Sequence, residues 1–172
     1  MFNIVKKLMG EDKKLVEKGD YYFGMGNYKS ALLYYKKALE INENNKDAKR
    51  RINEIHAEME FKNGIKLMIG NNYNRAIVLF NEATKLNKEL EPKATEKINL
   101  CKKIMELRKK ADELYDEGND EEAITAYNKV LNIFPRDNHS IDMIHKIDEL
   151  KKKMEDIDRL LNEMGKSNQT KK

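Results

Sequence analysis

The sequence has little of the turn chemistry that sheet-based folds require. Tryptophan is absent, and the 172 residues include only 2 prolines and 8 glycines. Sandwiches and barrels need many turns, which draw on glycine and proline, so the composition excludes an all-β fold. The sequence also lacks any run of about 18 apolar residues, which argues against a membrane-spanning helix. We therefore expect an all-α fold.

Two further absences favour a cytoplasmic protein. Cys101 is the single cysteine, so no intramolecular disulfide can form, which fits a reducing compartment. Residues 1–10 lack the long apolar stretch and the small-residue cleavage site of a secretory signal. The sequence therefore predicts a cytoplasmic location.

The net charge of +4 comes from the two ends of the chain. No carboxylate precedes Glu11 or follows Glu163, and between them 29 basic residues stand against 30 acidic ones. Nucleic-acid-binding proteins concentrate Lys and Arg on one stripe with few carboxylates to cancel them. The nearly neutral middle of the chain therefore predicts no nucleic-acid partner.

The strongest pattern in the chain is an internal repeat of small residues. Gly19, Ala31 and Ala38 are separated by 12 and then 7 positions, and both spacings recur twice. The later sets are Gly64, Ala76 and Ala83, then Ala111, Ala123 and Val130. An aromatic residue follows each middle small residue by four positions: Tyr35, Phe80 and Tyr127. Between the first and second small residue of each copy stands a pair of turn residues: Gly26-Asn27, Gly70-Asn71 and Gly118-Asn119.

Each copy has the features of a helical hairpin. Small residues let two antiparallel backbones approach closely, and the aromatic one turn later fills the wedge between them. Each Gly-Asn pair predicts a left-handed turn residue followed by a side-chain cap. Asn119 and Glu122 have the spacing of a capping box. One hairpin cannot bury its own apolar face, so we expect the copies to stack.

These spacings resemble those of the tetratricopeptide repeat (TPR). The matching segments are GDYYFGMGNYKSALLYYKKAL, GIKLMIGNNYNRAIVLFNEAT and ADELYDEGNDEEAITAYNKVL. The terminal proline of the family pattern is present in the third copy as Pro135, whereas Glu43 and Lys88 stand there in the first two. The resemblance implies an all-α array of three TPR-like hairpins, of the α-solenoid type, with a long C-terminal capping helix.

The chain departs from the family in its period. Ala31, Ala76 and Ala123 are 45 and 47 residues apart, whereas the repeat length of the family is about 34 residues. The added residues precede the first helices of hairpins two and three and carry apolar residues at helical spacing. We therefore expect first helices of about seven turns, starting after Asn45 and near Pro92, with an arm projecting beyond the hairpins. The predicted hairpins span about 12–43, 46–88 and 92–135.

The last predicted helix, about residues 138–164 with Asn138 as its cap, carries an apolar heptad seam. One interpretation is a cap that covers the third hairpin. The other is a coiled-coil face that makes a weak homodimer or binds a partner helix. Its self-association residues would be Ile147, Leu150, Met154, Ile157 and Leu161. We expect residues 1–164 to form one helical repeat domain and residues 165–172 to be a disordered tail.

Residues 2–9 predict a short amphipathic helix at the start of the chain. It can dock onto the first hairpin or touch an anionic membrane surface. Lys6 and Lys7 over two turns give only marginal membrane affinity, so docking is the favoured interpretation.

Residue patterns that carry catalysis or hold a cofactor are missing. His56, His139 and His145 have no cysteine partner nearby, which disfavours a metal site. The acidic stretch 116–122 lacks the alternating oxygen ligands of a calcium loop. The sequence contains no Gly-rich phosphate loop and no nucleophile elbow. We therefore predict a non-enzymatic protein that needs no cofactor and no metal.

The resemblance implies a protein–protein interaction scaffold or adaptor, because in the family the first helices line a concave groove that holds an extended or helical peptide. Transferring the groove positions gives Val16, Asp20, Phe23, Phe61, Ile65, Met68, Arg108, Asp112 and Tyr115. The same stripe can instead pack on the elongated neighbouring helices, and the sequence leaves both interpretations open.

One subgroup of the family grips a partner's C-terminal carboxylate with Lys, Asn and Arg side chains. The corresponding positions here hold Val16, Asp20, Lys62, Met105 and Lys109. Only Lys109 keeps its type, and Asp20 would repel a carboxylate. With Glu58 and Asp112 also near the groove, we expect a partner segment that is apolar and carries some positive charge.

Overall fold

The computed structural model describes the backbone of residues 2–169 and the side chains of residues 10–164. Within this range the chain forms seven α-helices and one short 3-10 helix, Lys88–Leu90, and no strand. The α-helices are α1 (Phe2–Gly24), α2 (Tyr28–Ile41), α3 (Lys46–Ile69), α4 (Tyr73–Leu86), α5 (Glu91–Asp116), α6 (Asp120–Ile133) and α7 (Asn138–Gln169). The helices α1–α2, α3–α4 and α5–α6 form the three predicted hairpins, which confirms the all-α repeat fold.

The described chain divides into two compact units, and the single domain over residues 1–164 stays a prediction. Unit one contains the residues up to Lys66 together with Asn74–Ile98, and unit two contains Leu67–Tyr73 and the residues from Asn99 onwards. The long helices α3 and α5 each have residues in both units.

The first helices of hairpins two and three have the predicted length, with 24 residues in α3 and 26 in α5. The Asn45 side chain accepts a hydrogen bond of 2.9 Å from the Ala48 N–H and so caps α3. The first part of α3 does not project. Ala48 and Ile55 are buried in one cluster with Tyr35 of the first hairpin. The expectation of a projecting arm is therefore wrong for α3, because its added residues cover the preceding hairpin.

The turn of the second hairpin differs by one residue from the prediction. Gly26 and Gly118 have positive φ angles of 72° and 78°, as expected, but in the second hairpin the left-handed residue is Asn71, with φ of 62°, and not Gly70. Asparagine tolerates this conformation better than most side chains do.

The predicted capping box of α6 is wrong, because Asn119 makes no side-chain cap bond. Its amide instead donates to Glu117, at 3.1 Å. Instead, the acidic residues in the first turn of α6, which include Glu122, interact favourably with the positive end of the helix dipole. In the first hairpin the predicted cap is confirmed, since Asn27 accepts a bond of 3.1 Å from the Ser30 N–H.

The small residues allow close helix contact, as their spacing predicts. Ala31, Ala76 and Ala123 are all completely buried. A Cβ atom added to Gly19 would lie 2.3 Å from the ring of Tyr35, and one added to Gly64 would lie 2.8 Å from the ring of Phe80. The aromatic of the second helix therefore fills the space that a first-helix side chain would occupy.

The two ends of the described chain are helical. The helix α1 runs without a break from Phe2 to Gly24, so the backbone of residues 2–9 continues the first helix and forms no separate short one. The helix α7 continues to Gln169, beyond the predicted end near residue 164. The side chains of residues 2–9 and the predicted tail at 170–172 lie outside the described residues.

Candidate protein-interaction surface

Two of the predicted groove residues are part of the core. Val16 packs in the cluster that contains Tyr35 and Ala38, and Met68 is also buried. Their assignment as partner-binding residues is therefore wrong. Val16 lies in one cluster with Ala48 and Ile55 from the added part of α3, which thus covers surface that an ordinary repeat leaves open.

Asp20 makes two contacts within unit one. Its carboxylate accepts a hydrogen bond of 2.7 Å from the Tyr35 hydroxyl and pairs with the Arg51 guanidinium at 2.8 Å. Burial and the neighbouring carboxylate both raise the pKa of Tyr35, so its hydroxyl stays protonated and donates. Arg51 also lies over the ring of Phe23, 5.4 Å from its centroid. The charge of Asp20 is therefore partly offset inside the chain, because Arg51 also pairs with Glu54 at 2.9 Å.

Asp112 repeats this arrangement in unit two. Its carboxylate accepts a hydrogen bond of 2.6 Å from the Tyr127 hydroxyl and lies 2.6 Å from Nε2 of His139 on α7. Burial and Asp112 raise the pKa of Tyr127 as Asp20 raises that of Tyr35. In hairpins one and three, the helix that follows the hairpin thus supplies a basic or imidazole side chain to this carboxylate.

Arg108 lies beside the buried carboxylate of Asp137, which was not predicted as a site residue. Its Nη1 is 3.6 Å from Oδ2 of Asp137, and its guanidinium lies over the ring of Tyr73 at 5.5 Å. Asp137 accepts hydrogen bonds of 2.5 Å from the Tyr73 hydroxyl and 2.9 Å from the Ser140 N–H. Arg108 is therefore mostly committed to this cluster.

Asp137, and not the predicted Asn138, is the side-chain cap of α7. Burial raises the pKa of Asp137, but the bonds from Tyr73 and Ser140 and the charge of Arg108 outweigh it, so the pKa lies below its usual value. The available signal was the position of Asp137 two residues after Pro135, where an acidic cap residue commonly begins a helix.

The remaining groove residues keep part of their surface. Phe61 is half-buried with its ring 5.2 Å from that of Phe80, and Ile65 is half-buried on the same helix. Tyr115 is half-buried in unit two, with Nζ of Lys146 4.9 Å from its ring centroid. Each unit therefore presents apolar or aromatic side chains at the predicted positions, with their nearby charges largely paired.

The predicted self-association seam on α7 divides into a buried and an exposed part. Ile147 is 0% exposed and packs with Tyr127 and Ala123, so its assignment to a self-association face is wrong. Leu150, Met154, Ile157 and Leu161 are 42%, 66%, 55% and 60% exposed. The first part of α7 thus covers the third hairpin, and the second part carries an uncovered apolar stripe.

Two segments match family models of the tetratricopeptide repeat, residues 14–45 and residues 109–137. They coincide with hairpin one and with the second half of hairpin three, where the small residues, turn glycines and aromatic wedges were predicted. The chain therefore contains tetratricopeptide repeats in these two segments. Neither of these two segments includes the second TPR hairpin.

Comparison with solved structures finds the first TPR of Spaghetti (RPAP3) bound to the HSP90 peptide SRMEEVD. The match has 20% sequence identity and a TM-score of 0.29, and it covers 82% of this chain and 95% of that chain. No curated protein matches the sequence. The assignment of this TPR protein therefore rests on its hairpins and on the two family models.

The carboxylate-binding positions of the TPR subgroup are occupied by other contacts. Val16 is buried, and Asp20 is paired with Arg51. Nζ of Lys62 lies over the ring of Tyr28, 4.9 Å from its centroid, and Lys109 pairs with Glu113 at 3.5 Å. This TPR protein therefore lacks the charge pattern that grips a C-terminal carboxylate.

Metal binding and membrane insertion can also be considered for the described residues. No group of three or more His, Cys, Asp or Glu side chains in this part of the chain could hold a metal ion. None of its helices is long and apolar enough to cross a membrane.

Proposed function

We propose that this TPR protein is a non-enzymatic cytoplasmic adaptor that binds a peptide or helical segment of a partner protein along its first helices. The observation that supports this most directly is the pair of tetratricopeptide matches, because the repeat serves protein–protein interaction. Phe23, Ile65 and Tyr115 add apolar surface at the groove positions and are not completely buried.

The pairing of the groove charges narrows the chemistry of the partner segment. Because Arg51 balances Asp20 and His139 contacts Asp112, the two carboxylates offer less attraction to a cation than the sequence suggested. The proposed partner segment is therefore mainly apolar, and its binding is driven by burial of side chains against Ile65 in unit one or Tyr115 in unit two.

The proposal is tested with a double variant, Ile65→Asp with Tyr115→Ala, in the full chain. The matched control is Val78→Asp with Tyr21→Ala, which makes the same chemical changes at exposed positions outside the predicted groove. Both proteins are used for affinity capture from the source cells, and the captured proteins are quantified by mass spectrometry. Circular dichroism reports whether each variant is folded.

We expect the wild type and the control variant to capture at least one protein in equal amounts. With the groove variant the captured amount of that protein should fall about tenfold, which corresponds to about 1.4 kcal/mol of binding free energy. Equal capture by the two folded variants would contradict binding along the first helices.

A further inference from the structure

The exposed second part of α7 occupies the place of a first helix in the repeat pattern. The marker residues Gly19, Gly64 and Ala111 are 45 and 47 positions apart, and the next position at that interval, 46 residues on, is Ile157. A bulky β-branched residue there prevents the close helix approach that Gly19 and Gly64 permit. This part of α7 is therefore unsuited to another TPR hairpin.

Its apolar residues suit a different kind of helix pair. Leu150, Met154, Ile157 and Leu161 recur at alternating intervals of four and three, which is the heptad spacing of a coiled coil. All are more than two-fifths exposed, whereas Ile147, one step earlier in the same seam, is completely buried. The stripe thus begins where the cover of the third hairpin ends.

The charges beside the stripe change sign along the helix. Lys151, Lys152 and Lys153 precede Glu155, Asp156 and Asp158. In a parallel pair the positions flanking the stripe would set Lys146 of each copy against the second copy's Lys151, and this repulsion offsets the attraction between Lys153 and the second copy's Asp158. An antiparallel pair instead brings the basic part of each copy beside the acidic part of the other, which is the complementary arrangement.

We propose that two copies of this protein associate through an antiparallel pair of α7 helices over residues 150–161. The heptad positions then define the register. Met154 of each copy packs against the second copy's Ile157, and Leu150 packs against the second copy's Leu161. The pairing uses no residue of the first helices, so it does not depend on the proposed adaptor function.

The same register places a charge pair on the flank of the stripe. Lys151 and Asp158 each directly follow a seam residue and lie on the same side of it. Lys151 of each copy therefore approaches the second copy's Asp158, twice by symmetry. Within its own chain Lys151 contacts Glu121, an exposed carboxylate, and such surface pairs contribute little, so the lysine remains available for exchange.

The association is measured by sedimentation of the full chain over a range of concentrations. We expect a concentration-dependent dimer. The variant Ile157→Lys with Leu161→Lys is expected to raise the dimer dissociation constant at least tenfold. The matched control is Leu33→Lys with Val78→Lys, which replaces exposed apolar residues on α2 and α4 and should leave the dimer unchanged. A wild-type monomer at the highest concentration would overturn the proposal.

Cysteine cross-linking tests the orientation. Leu150→Cys and Leu161→Cys chains are oxidised mildly, separately and as a mixture. In the antiparallel register the two Leu150 positions are about 16 Å apart along the axis, too far for a disulfide, whereas positions 150 and 161 meet. Burial raises the pKa of the native Cys101 thiol to about 11, so it does not compete. We expect cross-links only in the mixture. Cross-links in the separate samples would show a parallel pair and overturn the proposed arrangement.

Discussion

Repeats one and three differ from repeat two in how the wedge between their helices is held. In the outer repeats a tyrosine of the second helix donates to a carboxylate of the first, as Tyr35 to Asp20 and Tyr127 to Asp112. The equivalent pair in the middle repeat is Phe80 and Ile65, which can make no hydrogen bond. The same hairpin geometry is thus supported by a polar contact at the ends and by apolar packing in the middle.

The residue that closes each hairpin shows the same contrast. Asn45 donates to the buried carboxylate of Asp12 at 2.8 Å, and Asp137 accepts from Tyr73. Leu90 has the same place in the turn of the middle repeat, and it packs with Ala57 in an apolar cluster. Polar contacts of this kind require one geometry, whereas apolar packing tolerates adjustment. The outer repeats are therefore the more exactingly specified ones.

The largest expected effect distinguishes the two aromatic wedges. Gly19→Ala places a methyl group against Tyr35, whose hydroxyl is held by Asp20, so the ring cannot move away freely. We expect a loss of about 2 kcal/mol in the free energy of unfolding after the helix-propensity gain of alanine is included. Gly64→Ala faces Phe80, which has no such tether, and should change stability by less than about 1 kcal/mol.

Denaturant unfolding of the two variants measures this difference, with Gly10→Ala as the control. Gly10 lies in α1 with no atom within 4 Å of an added Cβ, so this substitution reports helix propensity alone. Equal stability of the Gly19→Ala and Gly64→Ala proteins would show that the tyrosine hydrogen bond does not restrain the wedge.

Much of this fold could be predicted from spacing, because Gly19, Ala31 and Tyr35 report local helix contact directly. The left-handed conformation of Asn71 could not be predicted, because the neighbouring Gly70 fits the turn pattern of the other two hairpins equally well. The sequence left open whether the groove stripe is free or packed, and the burial of Val16 could not be decided from spacing because it depends on how the added turns of α3 cover the first hairpin. Asp137 was missed because its partner Tyr73 lies 64 positions away.

The next effect exchanges the two kinds of wedge. Phe80→Tyr adds a hydroxyl at the position where Ile65 replaces the aspartate of the outer repeats and offers no acceptor. We expect a loss of about 1 kcal/mol, at the low end because Ile65 is only half-buried. Adding Ile65→Asp recreates the outer-repeat pair and should recover most of that loss. A double-mutant cycle by denaturant unfolding gives the coupling between the two positions. Additive effects of the two substitutions would mean that the middle repeat cannot adopt the polar contact.

The smallest expected effect is a loss of stability in acid. It comes from the buried carboxylates at the ends of the outer hairpins, whereas Leu90 of the middle hairpin has no group that titrates. Burial raises the pKa of Asp12 and of Asp137, but hydrogen bonds, from Asn42 and Asn45 in one case and from Tyr73 in the other, outweigh it and hold both below the usual value. A carboxyl whose pKa is lower in the folded state stabilises the protein above its unfolded pKa of about 3.9. That contribution is lost as the pH falls through the folded pKa.

We therefore expect the free energy of unfolding to stay constant between pH 6 and 5 and to decline below pH 4. Asp137→Asn should reduce this decline, because the variant has no carboxylate there to protonate, whereas Asp148→Asn at an exposed position of α7 should leave it unchanged. An identical acid decline in all three proteins would show that the buried carboxylate of the third repeat does not couple folding to pH.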